Sequence, residues 1–206
     1  MHKISIVVAA LAATVGLLGT ASAASAAGLS GPASFTSSNA GLPAHEFTFV
    51  NGNMRFTCAA VSGPGTINPA PVDASGDPQT ASVDPSFSNC RWHIVGTSVS
   101  ATVTDTCTWT LAITGFTAPG TSTGTFGPNC TVAIRPPGNC VITFQPFSGQ
   151  VTGQNLTSPT RLRATTTTAT NIPWTAVGSD CANFGSAGTD GRYTGTLDHA
   201  GLQAVA

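Results

Sequence analysis

The sequence predicts an all-β fold: an antiparallel β-sandwich, Ig-like or jelly-roll-like, stapled by disulfides and preceded by a cleaved signal peptide. Three observations predict it. Short runs alternate apolar and polar side chains, the two-residue period of a half-buried strand. Clusters of Gly, Pro, Ser, Asn and Asp separate those runs, and beyond the first 26 residues no window carries a helical period. Six cysteines follow a segment laid out like an export signal.

Composition narrows the class further. The chain has 7 Lys+Arg and 8 Asp+Glu, or 7% charged residues, against about 25% in an ordinary soluble protein. Lys3 is the single lysine. A nucleic-acid binder needs clustered Lys and Arg against phosphate, and a helical bundle needs Ala, Glu, Lys and Leu at helical period. A chain held disordered by charge would not reach 41% hydrophobic residues. All three classes are excluded. The 32 Thr and 19 Ser suit the solvent side of strands, because threonine is β-branched and carries a hydroxyl.

Residues 1–26 read as the signal peptide. Lys3 and His2 open it, Ile4 to Leu18 is apolar, and Ala21-Ser22-Ala23 and Ala24-Ser25-Ala26 offer small-x-small cleavage sites. The apolar core is shorter than the roughly 20 residues that span a bilayer, and no later stretch is long enough. Cleavage after Ala26 leaves 27–206 as one all-β domain without a membrane span. A split into two smaller sandwiches near 118–124 is the alternative.

Three hairpins follow from side-chain parity. An Asn51-Gly52 turn joins Glu46–Val50 to Asn53–Cys58 and pairs Phe49 with Met54 and Phe47 with Phe56. One face then holds Phe47, Phe49, Met54, Phe56 and Cys58, and Glu46 lies diagonal to Arg55. In the second, a turn at Thr104-Asp105-Thr106 pairs Val103 with Cys107 and Ala101 with Trp109, so that Val99, Ala101, Val103, Cys107, Trp109, Leu111 and Ile113 share a face. The third joins Cys130–Ile134 to Cys140–Phe144 through 135–139, with Cys130 opposite Phe144 and Cys140 opposite Ile134. That register holds Cys130 and Cys140 too far apart to bridge. Weaker strands are expected at Ala33–Ser37, Trp92–Val95, Thr160–Thr167, Ile172–Val177 and Tyr193–Leu197. Turn clusters are expected at Ser62–Pro71 and Ala118–Gly124.

Cys58, Cys90, Cys107, Cys130, Cys140 and Cys181 are even in number, which in an exported chain favours three disulfides. Their separations of 31, 16, 22, 9 and 40 intervening residues contain no paired spacing of the kind zinc sites use. Cys58 with Cys90 is the preferred bridge, since each ends an aromatic-bearing strand; the other four cysteines stay open.

Each candidate for chemistry has a plainer explanation beside it. Gly120-Thr121-Ser122-Thr123-Gly124 matches the nucleophile-elbow pattern, but that motif needs a helix after the serine, and none follows. Asp73-Ala74-Ser75-Gly76-Asp77 with Asp84 resembles a calcium loop, yet Pro78 stands where glycine is required; an Asx turn is the simpler reading. His45, His93 and His199 are isolated, and the carboxylates are scattered with a single Glu. No catalytic residue, metal ligand or cofactor is assigned. The aromatic residues Trp92, Trp109, Trp174, Phe47, Phe49, Phe56, Phe116, Phe126, Phe144, Phe147, Phe184 and Tyr193 suit a core better than a sugar-stacking platform. Trp174, beside Pro173, is the best candidate for an exposed ligand contact. Asn155-Leu156-Thr157 and Asn129-Cys130-Thr131 fit the glycosylation sequon.

The Ala-rich signal, Phe56-Thr57-Cys58, Phe87-Ser88-Asn89-Cys90, Cys107-Thr108-Trp109-Thr110-Leu111 and Asn171-Ile172-Pro173-Trp174 together carry a resemblance. The chain resembles secreted all-β proteins of high-GC Gram-positive bacteria. That resemblance implies export and a β-fold and brings no assigned activity. The expected function is a non-catalytic protein, secreted or associated with the cell envelope, acting by binding or as structure; its partner would be cell-wall glycan or another envelope protein. The alternatives are a secreted hydrolase with a dispersed site and a small inhibitor or toxin-like binder using a braced loop at Ala118–Asn129.

Overall fold

Alternation at the first hairpin produces the register expected of it. In the computed structural model, which describes residues 27–50, 53–94, 97–105, 107–182 and 185–206, β3 (His45–Phe49) pairs with β4 (Met54–Val72). Phe47 faces Phe56 and Phe49 faces Met54. Phe47, Phe49, Phe56 and Cys58 are buried, and outside them Arg55 Nε meets Glu46 Oε2 at 2.6 Å. The signal segment 1–26, the Asn51-Gly52 turn, Val95, Thr106 and Phe184 lie outside the described residues.

The remaining strands are β1 (Gly28–Ser30), β2 (Ser34–Ser38), β5 (Pro78–Val83), β6 (Ser86–Ile94), β7 (Thr97–Ser100), β8 (Thr102–Thr104), β9 (Trp109–Ala118), β10 (Thr121–Pro128), β11 (Val132–Arg135), β12 (Val141–Phe144), β13 (Gly149–Thr157), β14 (Thr160–Val177), β15 (Ala187–Ala200) and β16 (Gln203–Val205). All their pairings are antiparallel. β1 and β16 pair with each other as a separate two-stranded sheet, and two long strands organise the rest. One edge of β4 bonds β3 and then β2, and the other bonds β6 and then β5. β14 bonds β13 and then β12 on one side and β15 on the other. Because β15 also bonds β2 and β3, the ladder β4-β5-β9-β10-β13-β14-β15 returns to β4 and closes. The opposing inner faces of this ring meet in one core, a sandwich-like arrangement.

The core is a connected aromatic network. Trp92 contacts Phe49, which contacts Phe144 and Trp174; Phe47 links Phe144 to Tyr193; Tyr193 contacts Trp109; and Trp109 contacts Phe126. Burying each such ring is worth about 1.5–3 kcal/mol, in a chain with few charges to pair.

Parity predicted faces better than partners. Ala101, Trp109, Leu111 and Ile113 are buried as expected, but the second hairpin does not form. Val103 pairs with Ile134, and Trp109 with Val83 and Pro128. The chain turns a corner between β8 and β9, where the Trp109 indole N–H donates to Asp105 Oδ2 at 2.7 Å. In the third hairpin Val132 faces Phe144 and Ile134 faces Ile142. That register is two residues from the expected one, so the same side chains still point inward. Ser62–Pro71 is continuous strand within β4. Its glycines serve close approach, since a Cβ on Gly63 would strike the Asp84 carbonyl and one on Gly65 the Phe35 ring. Residues 118–124 are the end of β9, a turn at Pro119-Gly120 and the start of β10. The proposed inhibitory loop at Ala118–Asn129 is therefore mostly β10, a strand bonded on both edges.

All six cysteines are bonded: Cys58 to Cys90, Cys107 to Cys130, and Cys140 to Cys181. The first is the bridge preferred from sequence and joins directly opposed residues of β4 and β6. Non-reducing peptide mapping is expected to return these three pairs. Replacing Cys140 and Cys181 together by serine should lower the unfolding free energy by about 4 kcal/mol, the loop-closure value for their separation of 41 residues. A Cys130–Cys140 peptide would contradict the register of β11 and β12.

Candidate functional site

Alternation on β14 buries Leu162 and Ala164 and turns Arg161 and Arg163 outward. On β15 it buries Leu197 and His199 and turns Asp198 outward, directly opposite Arg163. Arg163 holds Asp198 with both arms, Nε to Oδ1 at 2.8 Å and Nη2 to Oδ2 at 3.0 Å. Arg161 Nε, itself buried, also pairs with Asp198 Oδ2 at 2.8 Å. The Arg163 hydrogen bond, with both guanidinium charges, holds the Asp198 carboxyl below its ordinary range. Two guanidiniums therefore share one carboxylate at the side of a groove of about 330 Å³, to which Thr36, Ser38 and Gly41 also contribute.

Beside the groove the outer sheet face carries hydroxyls in register. Thr123 on β10 faces Thr152 on β13, which faces Thr165 on β14, which faces Thr196 on β15. Adjacent members of this row sit one strand apart, about 4.8 Å. Thr152 is exposed and Thr123 and Thr165 are half-buried, whereas Thr196 is buried and donates from Oγ1 to Thr165 Oγ1 at 3.3 Å. The next row along the same face is Gln154, Arg163, Asp198 and Ser38.

The histidines are tied to structural partners. His45 Nε2 lies 3.1 Å from the Thr196 carbonyl and Nδ1 2.6 Å from Tyr193 Oη. A carbonyl can only accept, so Nε2 carries the proton and Nδ1 accepts from the phenol. His199 Nδ1 contacts Ser37 Oγ at 2.8 Å; both residues are buried, with the imidazole against Phe35 and Phe126. This serine–histidine contact faces the core and not a cleft. His93 Nε2 contacts Thr57 Oγ1 at 2.8 Å. Among the described residues, no hydrogen bond joins a histidine to a carboxylate.

Other sequence candidates resolve individually. Trp174 is not an exposed contact: it is 3% exposed, packs on Phe49 and donates its indole N–H to Asp190 Oδ1 at 2.8 Å. Trp92 and Trp109 are likewise internal, so they offer no stacking platform. Ser122 is fully buried in β10. Asp73 Oδ1 accepts the N–H groups of Ser75 and Asp77 at 2.8 and 2.9 Å, an Asx turn. Asp84 lies elsewhere, sharing an open cleft of about 400 Å³ with Asp105; the pairing of Val83 with Trp109 brings these two acids together. Burial raises the Asp105 pKa, an effect opposed by the Trp109 N–H. Asn155 exchanges both side-chain hydrogen bonds with the Ala204 backbone, at 2.8 and 2.9 Å, so its sequon amide is engaged. Neither the Arg161–Asp198–Arg163 cluster nor the hydroxyl row was named from sequence. The outward parity of Arg161 and Arg163 was the available signal.

Comparison with protein-family models, curated proteins and solved structures finds no match to this chain.

Burial lowers the pKa of His45 and of His199 to about 4. Both are therefore neutral when folded and protonate near pH 6.5 when unfolded, so stability falls as pH drops from about 6.5 to about 4. Each histidine should remove about 2–3 kcal/mol between pH 7 and pH 4.5. The raised Asp105 offsets part of this loss, and Asp198 adds to it only at lower pH. Urea unfolding across that range checks the slope; a flat profile would contradict neutral buried histidines.

Proposed function

We propose that this is a non-catalytic protein, exported and held at or near the cell envelope, which acts by binding glycan. The contact surface is the outer face of β10, β13, β14 and β15 with the adjoining groove. The observation that carries this reading is the Arg161–Asp198–Arg163 cluster opening beside an in-register hydroxyl row. Polysaccharides offer hydroxyls at regular spacing, and a sheet face of threonines exchanges hydrogen bonds with them without the desolvation cost of many charges. Export is supported by three disulfides in a chain whose start reads as a signal peptide. Among the described residues no helix is long and apolar enough to cross a membrane.

The exported chain, beginning at Ala27, is expected to sediment with purified, protein-free cell wall. Thr152→Arg and Thr165→Arg, which place bulk and charge on the hydroxyl row, should release it. A wild-type chain that stays wholly in the supernatant would sink the reading, as would full retention of both variants.

A further inference from the structure

We propose that the groove over Arg161 is a subsite for the carboxylate of an acidic sugar. This rests on the glycan-binding reading above and names the ligand class it would take. Two guanidiniums facing one carboxylate leave a single net positive charge in a partly buried place; the side chains of Arg161, Arg163 and Asp198 are 23%, 31% and 15% exposed. Arg163 is held by its two-armed grip on Asp198 and acts as the positioning residue. Arg161 Nε is buried 2.8 Å from Asp198 Oδ2, so what Arg161 offers the groove is its terminal nitrogens, of which Nη1 makes a 3.3 Å contact to the Pro159 carbonyl. A planar carboxylate matches the guanidinium fork.

The surroundings suit a ring. The residue opposite Arg161 on β15 is Ala200, whose methyl leaves the guanidinium uncovered on that side. Thr36 and Ser38 supply hydroxyls, and at Gly41 an added Cβ would meet nothing within 4 Å. A volume of about 330 Å³ lies at the small end of ligand pockets. The hydroxyl row passes two residues along the strand from Arg163, about 7 Å away, within reach of a neighbouring sugar. A phosphate monoester would bring about −1.5 to −2 charges into a site with one positive charge to offer, which favours a carboxylate.

The test is an NMR titration of the arginine Nε–Hε signals of the exported chain with sodium glucuronate, glucose, sodium acetate and inorganic phosphate in turn. Glucuronate is expected to shift the Arg161 signal saturably, glucose to leave it unmoved, and acetate and phosphate to bind at least about tenfold more weakly, a difference of about 1.4 kcal/mol. Arg161→Gln should lose glucuronate binding by at least about tenfold, whereas Arg91→Gln, remote from the groove, should bind as wild type. An unmoved Arg161 signal, or unchanged binding by Arg161→Gln, overturns the subsite. Acetate or phosphate binding as tightly as glucuronate overturns its assignment to an acidic sugar. Should Arg161→Gln fail to fold, the four wild-type titrations still decide. Retention on cell wall with no glucuronate response would defeat the subsite alone; glucuronate binding without retention would defeat the envelope reading alone.

Discussion

A strand at the edge of a sheet exposes a row of unpaired backbone N–H and C=O groups, and natural proteins usually guard that row with lysines and other charges. Only 7% of this chain is charged, so the edges are instead consumed by pairing. β15 is the keystone: it bonds β14 on one side and both β2 and β3 on the other. The two longest strands, β4 and β14, make this possible, because each changes partners along its length and so carries the ladder around the core. Where the sheet does stop, at β7 and β8, the two ends are successive in the chain, and the Ala101 N–H donates to the Cys90 carbonyl at 3.1 Å. The disulfide from Cys107 to Cys130 anchors the corner that follows.

Closure has a second consequence. Every strand of the ring keeps one face inside, and two-residue alternation then separates the two tasks of the same segment. On β14 and β15, Leu162, Leu197 and His199 fill the core while Arg161, Arg163 and Asp198 form the groove outside. Several buried polar side chains bond one another or the backbone: His45 with Tyr193 and the Thr196 carbonyl, His199 Nδ1 with Ser37, and Asn39 with the Val61 N–H and the Ala59 carbonyl, whereas among the described residues Ser122 Oγ and His199 Nε2 make no hydrogen bond. On the outer face two guanidiniums share the single carboxylate of Asp198, which is why the groove is singled out.

Local signals made the all-β class, the first hairpin and the Cys58–Cys90 bridge legible, because alternation and an Asn-Gly turn fix a register over a few residues. Face assignment also transferred: the inward positions of Trp109, Leu111, Ile134, Ile142 and Phe144 survived the wrong partner for β9 and the two-residue shift between β11 and β12. Partner choice did not transfer, since Val103 finds Ile134 through contacts no local pattern encodes. Gly63 and Gly65 were misread as turn residues because the sequence shows a missing side chain without showing whether a bend or a close neighbour requires it. Trp174 looked exposed beside Pro173, yet its ring is drawn inward by Phe49 and its N–H is met by Asp190. Asp198 gave no hint of a site, because its partner Arg163 is set by the long-range pairing of β14 with β15.

Closure of the ladder is the claim on which the core, the disulfide placement and the groove all depend. Native-state hydrogen exchange of the β15 amides in its two stretches paired with β3 and β2, Arg192–Thr194 and Asp198–His199, tests it most directly. If β15 is bonded on both sides, these amides exchange only through global unfolding, as slowly as those of β9 inside the sheet. If alternate amides of β15 exchange rapidly through local opening, as they would along a free edge, the ring is open and the account fails.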